Sequence, residues 1–335
     1  METLQLTKHH GLGNDFLIAL LSGKEKAAFD ARPLRWSDLA KEICNRRTGV
    51  GADGLLLGID ASFSEPTSSE SAVGGDPFLH GKARVQMVLY NSDGSRAEVS
   101  GNGSACLANA LARSRDPWAQ AIGQPQVAHL DIAVETDAGP RTVSWRHAFY
   151  ETDDGLIQPH DENVDVDMPI VVPEPDIVPA LNDLITQRFG ESPRATGDVG
   201  NPHLVIATSH RLDEADVREL GSQYQAYFSD GINVEFVWPL VDECHAEGTP
   251  SSSLGMRVFE RGAGVTDACG TGAVVAAIRA REWGLVRHDA WTEVIMPGGS
   301  ATVAQAGLTG HPQLQLFVEH VADIEWPLRG PWLDA

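Results

Sequence analysis

Two short stretches of the chain place a small, reactive type of side chain directly before a Gly-x-Gly turn and an alanine-rich helix. Ser100-Gly101-Asn102-Gly103 leads into Ser104-Ala105-Cys106-Leu107-Ala108-Asn109-Ala110-Leu111, and Cys269-Gly270-Thr271-Gly272 leads into Ala273-Val274-Val275-Ala276-Ala277-Ile278. A helix N-terminus carries N–H groups without intrahelical acceptors and about half a positive charge, which suits a carboxylate. The glycines let a ligand approach the backbone. The same field is expected to draw a thiol at the first position, Cys269, from about 8.5 toward neutrality, making thiolate accessible. Two such helix starts facing each other would hold one α-carboxylate and set an acid/base group on each side of the α-carbon. One group would remove the α-proton and the other deliver a proton to the opposite face, the chemistry of a racemase or epimerase.

The two stretches lie about half the chain apart, which points to a duplicated domain. The elements around them read as short strands at Arg84–Tyr90, His129–Thr136, His203–Thr208 and Ile232–Trp238, and as helices at Ser37–Asn45, Gly103–Arg113, Asp213–Phe228 and Gly272–Trp283. Strand and helix do not alternate regularly, so the expected class is α+β (mixed α/β) rather than a doubly wound parallel sheet. The expected division is a first domain over 1–148, completed by 322–335, and a second over 149–321. Ala61–Lys82, rich in Ser, Glu and Gly, reads as a surface insertion, and acidic Tyr150–Asp165 as a crossover between domains.

Composition narrows the partners. The 335 residues include 25 Lys and Arg against 47 Asp and Glu, a net charge of −22. That field repels phosphate backbones and anionic lipid, so neither nucleic acid nor a membrane surface is an expected partner, whereas a small substrate bearing ammonium groups is compatible with it. No apolar run approaches the roughly 18 to 20 residues of a membrane helix. Met1–His10 lacks the pattern of an export signal, and a cytoplasmic location is expected. Cys44, Cys106, Cys244 and Cys269 are scattered, with no C-x-x-C pair, so neither a disulfide framework nor a cysteine metal site is expected.

Six further motifs occur in order around the helix starts. They are His10-Gly11-Leu12-Gly13-Asn14-Asp15-Phe16, Arg47-Thr48-Gly49-Val50-Gly51-Ala52-Asp53-Gly54, Asn91-Ser92-Asp93-Gly94-Ser95, Gly200-Asn201-Pro202-His203, Asn233-Val234-Glu235-Phe236 and Glu260-Arg261-Gly262-Ala263-Gly264. From Lys8 to about Gly299 the chain resembles the diaminopimelate epimerases. The resemblance implies a pyridoxal-independent, metal-free enzyme that needs no cofactor and interconverts LL- and meso-diaminopimelate in lysine and cell-wall biosynthesis. It also implies two pseudo-symmetric domains, each a mixed sheet or barrel around a central helix, with the active site in the cleft between them, and a homodimer. By the same resemblance Cys269 and Ser100 occupy the catalytic positions. Asn14, Asn91, Asn201, Asn233, Glu260 and Arg261 match substrate-binding positions, Gly101 with Asn102 and Gly270 with Thr271 match the carboxylate-binding helix starts, and His203 matches a histidine near the catalytic centre. An acceptor-rich set with one guanidinium fork suits a zwitterion with two ammonium and two carboxylate ends.

The departures bear on mechanism. Family members usually carry cysteine at both helix starts, and here the first is Ser100, a far weaker acid. Because a donor in one direction is an acceptor in the other, serine slows both directions rather than favouring one. Ala105 stands where arginine is common, and Val265 where glutamate is usual. A working epimerase leads the readings. Behind it stand a related superfamily enzyme (another amino-acid epimerase or a hydroxy-amino-acid dehydratase), a catalytically impaired amino-acid-binding homologue, and, last, a serine hydrolase, for which the G-x-S-x-G elbow is missing.

Overall fold

The structure, a computed structural model, describes residues 2–32, 35–64, 80–97, 100–114, 128–151, 157–240, 252–287, 291–304 and 311–328. They form two compact units, Met1–Val166 with Leu316–Ala335, and Asp167–Gln315. Both are mixed α/β, in the class the sequence suggests.

The first unit contains β1 (Thr3–Gly11), β2 (Asn14–Leu21), α1 (Gly23–Asp30), α2 (Trp36–Ile43), β3 (Gly54–Ser64), β4 (His80–Asn91), β5 (Arg96–Ala97), α3 (Gly101–Ser114), β6 (Ala128–Thr136), β7 (Gly139–Glu151) and β8 (Ile157–Asp167). It is completed by most of β16 (Gln313–Pro327). Eight strands run in the order β1-β2-β3-β4-β6-β7-β8-β16, and β16 pairs back with β1, so the sheet closes on itself. Closure leaves no edge among these eight. Alternation along the strands assigns the faces. Leu17, Ala19, Leu55, Leu57 and Val88 pack on one side with Leu39, Ala40 and Ile43 of α2. The central helix α3 packs against β1, β2, β3, β6 and β7 and is buried from Gly101 to Ala112. Its Gly, Ala, Ser and Asn side chains are small enough for strands to surround it, and a helix buried on all sides belongs at the centre of a sheet.

The second unit contains α4 (Pro179–Phe189), β9 (Arg194–Asp198), β10 (Pro202–Ala207), α5 (Glu214–Gln225), β11 (Asn233–Pro239), β12 (Ser253–Glu260), β13 (Gly264–Thr266), α6 (Gly270–Glu282), β14 (Trp291–Met296) and β15 (Gly299–Ala304). Its strand order is β15-β14-β12-β11-β10-β9, with β13 beside β12. The β10–β11 and β12–β14 pairs are parallel and the others antiparallel. Leu181 and Ile185 of α4 and Val217, Leu220 and Tyr224 of α5, at helical spacing, bury Leu204, Ile206, Val234 and Phe236. Each such side chain contributes roughly 1.5–3 kcal/mol of transfer free energy. The opposite face of the sheet receives α6, which packs against β9, β10, β11, β12, β14 and β15.

Three expectations need correction. Tyr150–Asp165 is not an interdomain crossover where it is described: β7 and β8 pair antiparallel, Val143 with Val166 and Trp145 with Val164, which keeps 150–151 and 157–165 in the first unit, and 152–156 lies outside the described residues. The divisions therefore fall after Val166 and after Gln315 rather than at 148 and 321. Ala61–Lys82 is not all insertion. Ser62, Phe63 and Ser64 pair with Arg84, Ala83 and Lys82, so its two ends lengthen β3 and β4, and 65–79 lies outside the described residues.

Candidate active site

In the first unit, Asn14 and Asn91 sit at one end of three adjacent strands. Leu12 and Gly13 make the β1–β2 turn with φ of 56° and 82°, the left-handed geometry of a tight hairpin, and this delivers Asn14 to the start of β2 opposite Gly11. Phe16 pairs with Gly54, and Gly54 with Asn91, so the ends of β2, β3 and β4 are in register. Asn91 Nδ2–H donates to Ser95 Oγ at 2.9 Å, as an N-x-D-G-S turn requires.

A charged staple anchors this end. Asp15, beside Asn14, accepts from Lys8 Nζ at 2.7 Å and from Arg46 Nη2 at 2.6 Å, and Arg46 also bonds Asp53 at 2.8 Å. Asp53 accepts the Asp15 N–H, and its carbonyl accepts the Ser92 N–H. Burial alone would raise the Asp15 carboxyl, but the hydrogen bonds from Arg46 and Lys8 outweigh it and bring the group down to about 2. A folded pKa below the unfolded one near 3.9 gives stability that is present above about pH 4 and is lost as pH falls toward 2. Asp15→Asn is therefore expected to cost about 2 kcal/mol near neutral pH and to flatten the fall in stability between about pH 5 and 2. Denaturant melts across that range measure both effects.

In the second unit the alternation that buries Leu204, Ile206, Val234 and Phe236 on one face places His203, Asn233 and Glu235 on the other, and His203 is the register partner of Asn233. Asn201 Nδ2–H donates to Thr271 Oγ1 at 3.2 Å, and Asn233 Oδ1 accepts the Arg261 backbone N–H at 2.9 Å. Glu260 is half-buried and accepts from Thr266 Oγ1 at 2.5 Å. Burial pushes the Glu260 carboxyl up, against hydrogen bonds from Thr266 and Cys269 that favour the carboxylate. Arg261 is exposed, with Nη1 donating to the Asp230 carbonyl at 3.2 Å.

The two helix starts have the same cap. Ser100 Oγ accepts the Gly103 N–H at 3.0 Å, and Cys269 Sγ accepts the Gly272 N–H at 3.4 Å. The carbonyls of Ser100 and Cys269 accept the first intrahelical bonds, from Ser104 and Ala273, each at 2.9 Å. Gly101 and Asn102 in one helix, and Gly270 and Thr271 in the other, therefore occupy the first two helical positions, whose amides have no acceptor within the helix.

The expectation of an acidified Cys269 is overturned. Burial raises its thiol well above the ordinary cysteine value, and the charges of Glu260 and Glu235 add to that; hydrogen bonds from Thr271 and Gly272 offset only part. Cys269 thus rests as a thiol. Cys106 is fully buried inside α3, where burial likewise raises its thiol, consistent with a packing role. Cys244 lies outside the described residues.

One residue that reasoning from sequence passed over is Glu235. His203 Nδ1–H donates to Glu235 Oε1 at 2.6 Å, both side chains being fully buried. His203, Glu235 and Cys269 each present an atom of metal-ligand type, all within 4.8 Å of one another. An ion bridging the His203 and Glu235 atoms would hold them about 3 Å or more apart, so their contact is a hydrogen bond. The signal was available: a glutamate two residues beyond Asn233 on a strand must share its face.

Gly272 makes this packing possible. A Cβ there would lie 2.6 Å from Glu235 Oε1 and 3.2 Å from its Cγ and Cδ, and the buried carboxylate, held by His203, has little room to yield. Gly272→Ala is expected to lower turnover on the order of 10²-fold by displacing Glu235 and Cys269, although alanine is the better helix former. Steady-state kinetics beside a thermal melt separate the two effects.

The sequence model of the diaminopimelate epimerase family matches residues 6–155 and 196–311. The chain is 34% identical over 330 residues to a diaminopimelate epimerase of Xanthomonas euvesicatoria pv. vesicatoria, covering 96% of each chain. It is 31% identical over 312 residues to that of Natranaerobius thermophilus, covering 88% of this chain and 89% of the relative. Among solved structures, a hydroxyproline epimerase from Agrobacterium vitis shares the fold at a TM-score of 0.54 and 15% identity, over 98% of this chain and 94% of the other. A probable proline racemase from Agrobacterium radiobacter does so at 0.53 and 13%, over 97% and 93%. The chain belongs to the diaminopimelate epimerase family, a family of amino-acid epimerases.

Proposed function

We propose that this protein interconverts LL- and meso-diaminopimelate without pyridoxal, in the supply of lysine and peptidoglycan precursors, with Cys269 and Ser100 serving opposite faces of one α-carbon. The observation that carries the proposal is the repeated cap: one acid/base side chain bonded to the third amide of an otherwise buried helix, with the first two amides left over. Those amides, at Gly101 and Asn102 and at Gly270 and Thr271, are the donors for the α-carboxylate. Asn102 Oδ1 and Asn201 Oδ1 are buried acceptors without a hydrogen-bond partner among the described residues. An ammonium group on the substrate supplies what such oxygens lack, and Asn14, Asn91, Asn233, Glu260 and Arg261 complete the set that orients the zwitterion.

In the direction that begins from the resting thiol, Cys269 donates its proton to one face of the α-carbon while the α-proton leaves from the other, toward Ser100. Ser100 takes up that proton as it passes its own hydroxyl proton on toward solvent, and because a neutral hydroxyl is a poor acceptor this transfer is slow in both directions. In the reverse direction the same groups exchange roles. Incubation with LL-diaminopimelate, followed by chromatography that separates the stereoisomers, should show the meso isomer forming. Formation of a keto acid and ammonia from a hydroxylated amino acid, with LL-diaminopimelate untouched, would replace this reading with that of a related superfamily enzyme. The serine at position 100 is the observation that favours that second reading.

A further inference from the structure

We infer that Gly231, in the turn between α5 and β11, is a positioning residue for Arg261: with no side chain there, the turn can hold the guanidinium arm ready for a substrate carboxylate. The inference rests on the proposed binding role of Arg261 and adds a residue to it. Two contacts hold the arm. Nη1 donates to the Asp230 carbonyl at 3.2 Å, and the stem lies so close to the Gly231 Cα that a Cβ there would fall 2.9 Å from Arg261 Cδ and 3.0 Å from its Cγ. The Arg261 backbone is fixed separately, its N–H donating to Asn233 Oδ1 at 2.9 Å. The turn is itself tied down. Gly231 N–H donates to the Phe228 carbonyl at 3.0 Å, Gln225 Nε2–H donates to the Ile232 carbonyl at 2.7 Å, and the Ile232 side chain is fully buried.

Backbone conformation alone does not call for glycine here. Gly231 has φ of 70°, in the left-handed region that asparagine also adopts. What leaves no room for a side chain is the Arg261 stem, and that stem is the movable partner. Arg261 is exposed, so a Cβ at 231 would push its arm aside rather than disturb the core. Such a shift costs little stability, yet it moves a guanidinium whose value lies in its placement, because a planar fork meets a carboxylate in one geometry. An arginine that is free in solution must give up side-chain freedom when it binds; one already held by the turn gave up that freedom in folding.

The test pairs a chemical probe with kinetics. Gly231→Asn keeps the left-handed turn and adds a side chain. Gly284→Asn is its control, a glycine with φ of 68° whose Cβ would meet nothing within 4 Å, so it carries the same backbone strain in open space. Phenylglyoxal, which bridges two guanidinium nitrogens, needs no substrate. Peptide mass mapping is expected to show Arg261 modified about threefold faster in Gly231→Asn than in the parent, the Asp230 hydrogen bond having been released. An unchanged or slower rate would overturn the inference. With LL-diaminopimelate, Gly231→Asn is expected to raise KM about tenfold with kcat within about twofold of the parent, and Gly284→Asn to keep both. A turn that matters only for stability gives another pattern, a lower melting temperature and a smaller active fraction with KM unchanged, and that pattern would contradict the inference. Should Gly231→Asn melt well below Gly284→Asn, Gln225→Ala loosens the turn without straining its backbone. It is expected to raise both KM and the phenylglyoxal rate about threefold, and parent-like values of both would overturn the inference. Faster modification of Arg261 in Gly231→Asn, in a protein whose parent leaves LL-diaminopimelate untouched, would count against the proposed function and leave the positioning of Arg261 standing.

Discussion

Cys269→Ala is expected to lower turnover of LL-diaminopimelate by at least about 10³-fold, within the range general acid–base groups contribute. Cys269 is the N-cap of α6, is 4% exposed, and touches Thr271 Oγ1 at 3.4 Å as well as the Gly272 N–H. Alanine therefore removes a cap as well as an acid, and about 1 kcal/mol of stability should go with it. Cys269→Ser separates the two losses. Serine is a good cap, so that variant should melt close to the parent while remaining at least about 10²-fold slow, because a hydroxyl there neither gives up nor accepts a proton readily. Initial rates and thermal melts on the three proteins measure this. Parent-like rates in Cys269→Ala would remove the thiol from the mechanism.

Ser100→Cys is expected to do the reverse, raising turnover about tenfold or more in both directions near pH 8, where an exposed thiol is substantially ionised. Ser100 is half-exposed and its cap is the one that Cys269 makes in the other unit, so a sulfur atom has a geometric precedent in the same chain. The Gly103 Cα lies close to the Ser100 side chain, a Cβ there falling 3.1 Å from Ser100 Cβ, and the larger sulfur must fit in that space. Cysteine is the weaker N-cap, and a loss of roughly 0.5–1 kcal/mol should accompany the gain in rate. Ser100→Ala should lower the forward and reverse kcat/KM by one common factor, because the equilibrium fixes their ratio, and an unchanged kcat/KM would reduce Ser100 to a cap.

The parts of the site that local rules govern were legible before any coordinates. The helix starts at Ser100 and Cys269 follow from a capping side chain before Gly-x-Gly and an alanine run, and both form. Asn91 to Ser95 reads as a turn and is one. The apolar runs at His203–Thr208 and Ile232–Trp238 read as strands, and strands form there. What escaped depended on contacts distant in sequence. The acidity of Cys269 could not be read from its helix alone, because Glu235 and Glu260 come from β11 and β12 and oppose the helix field along with burial. Tyr150–Asp165 looked like a linker because it is acidic, yet hydrogen bonding with β7 overrides composition. The ends of 61–82 were lost to the same preference for composition over pairing.

The central claim is that protons pass at one α-carbon through two groups, Cys269 on one face and Ser100 on the other. Its most direct measurement is α-deuterium incorporation by the purified protein acting on LL-diaminopimelate in heavy water, followed by mass spectrometry of the separated stereoisomers. The account predicts meso product carrying deuterium at the inverted α-carbon, with exchange abolished in Cys269→Ala. Bound diaminopimelate that neither inverts nor acquires deuterium would contradict it.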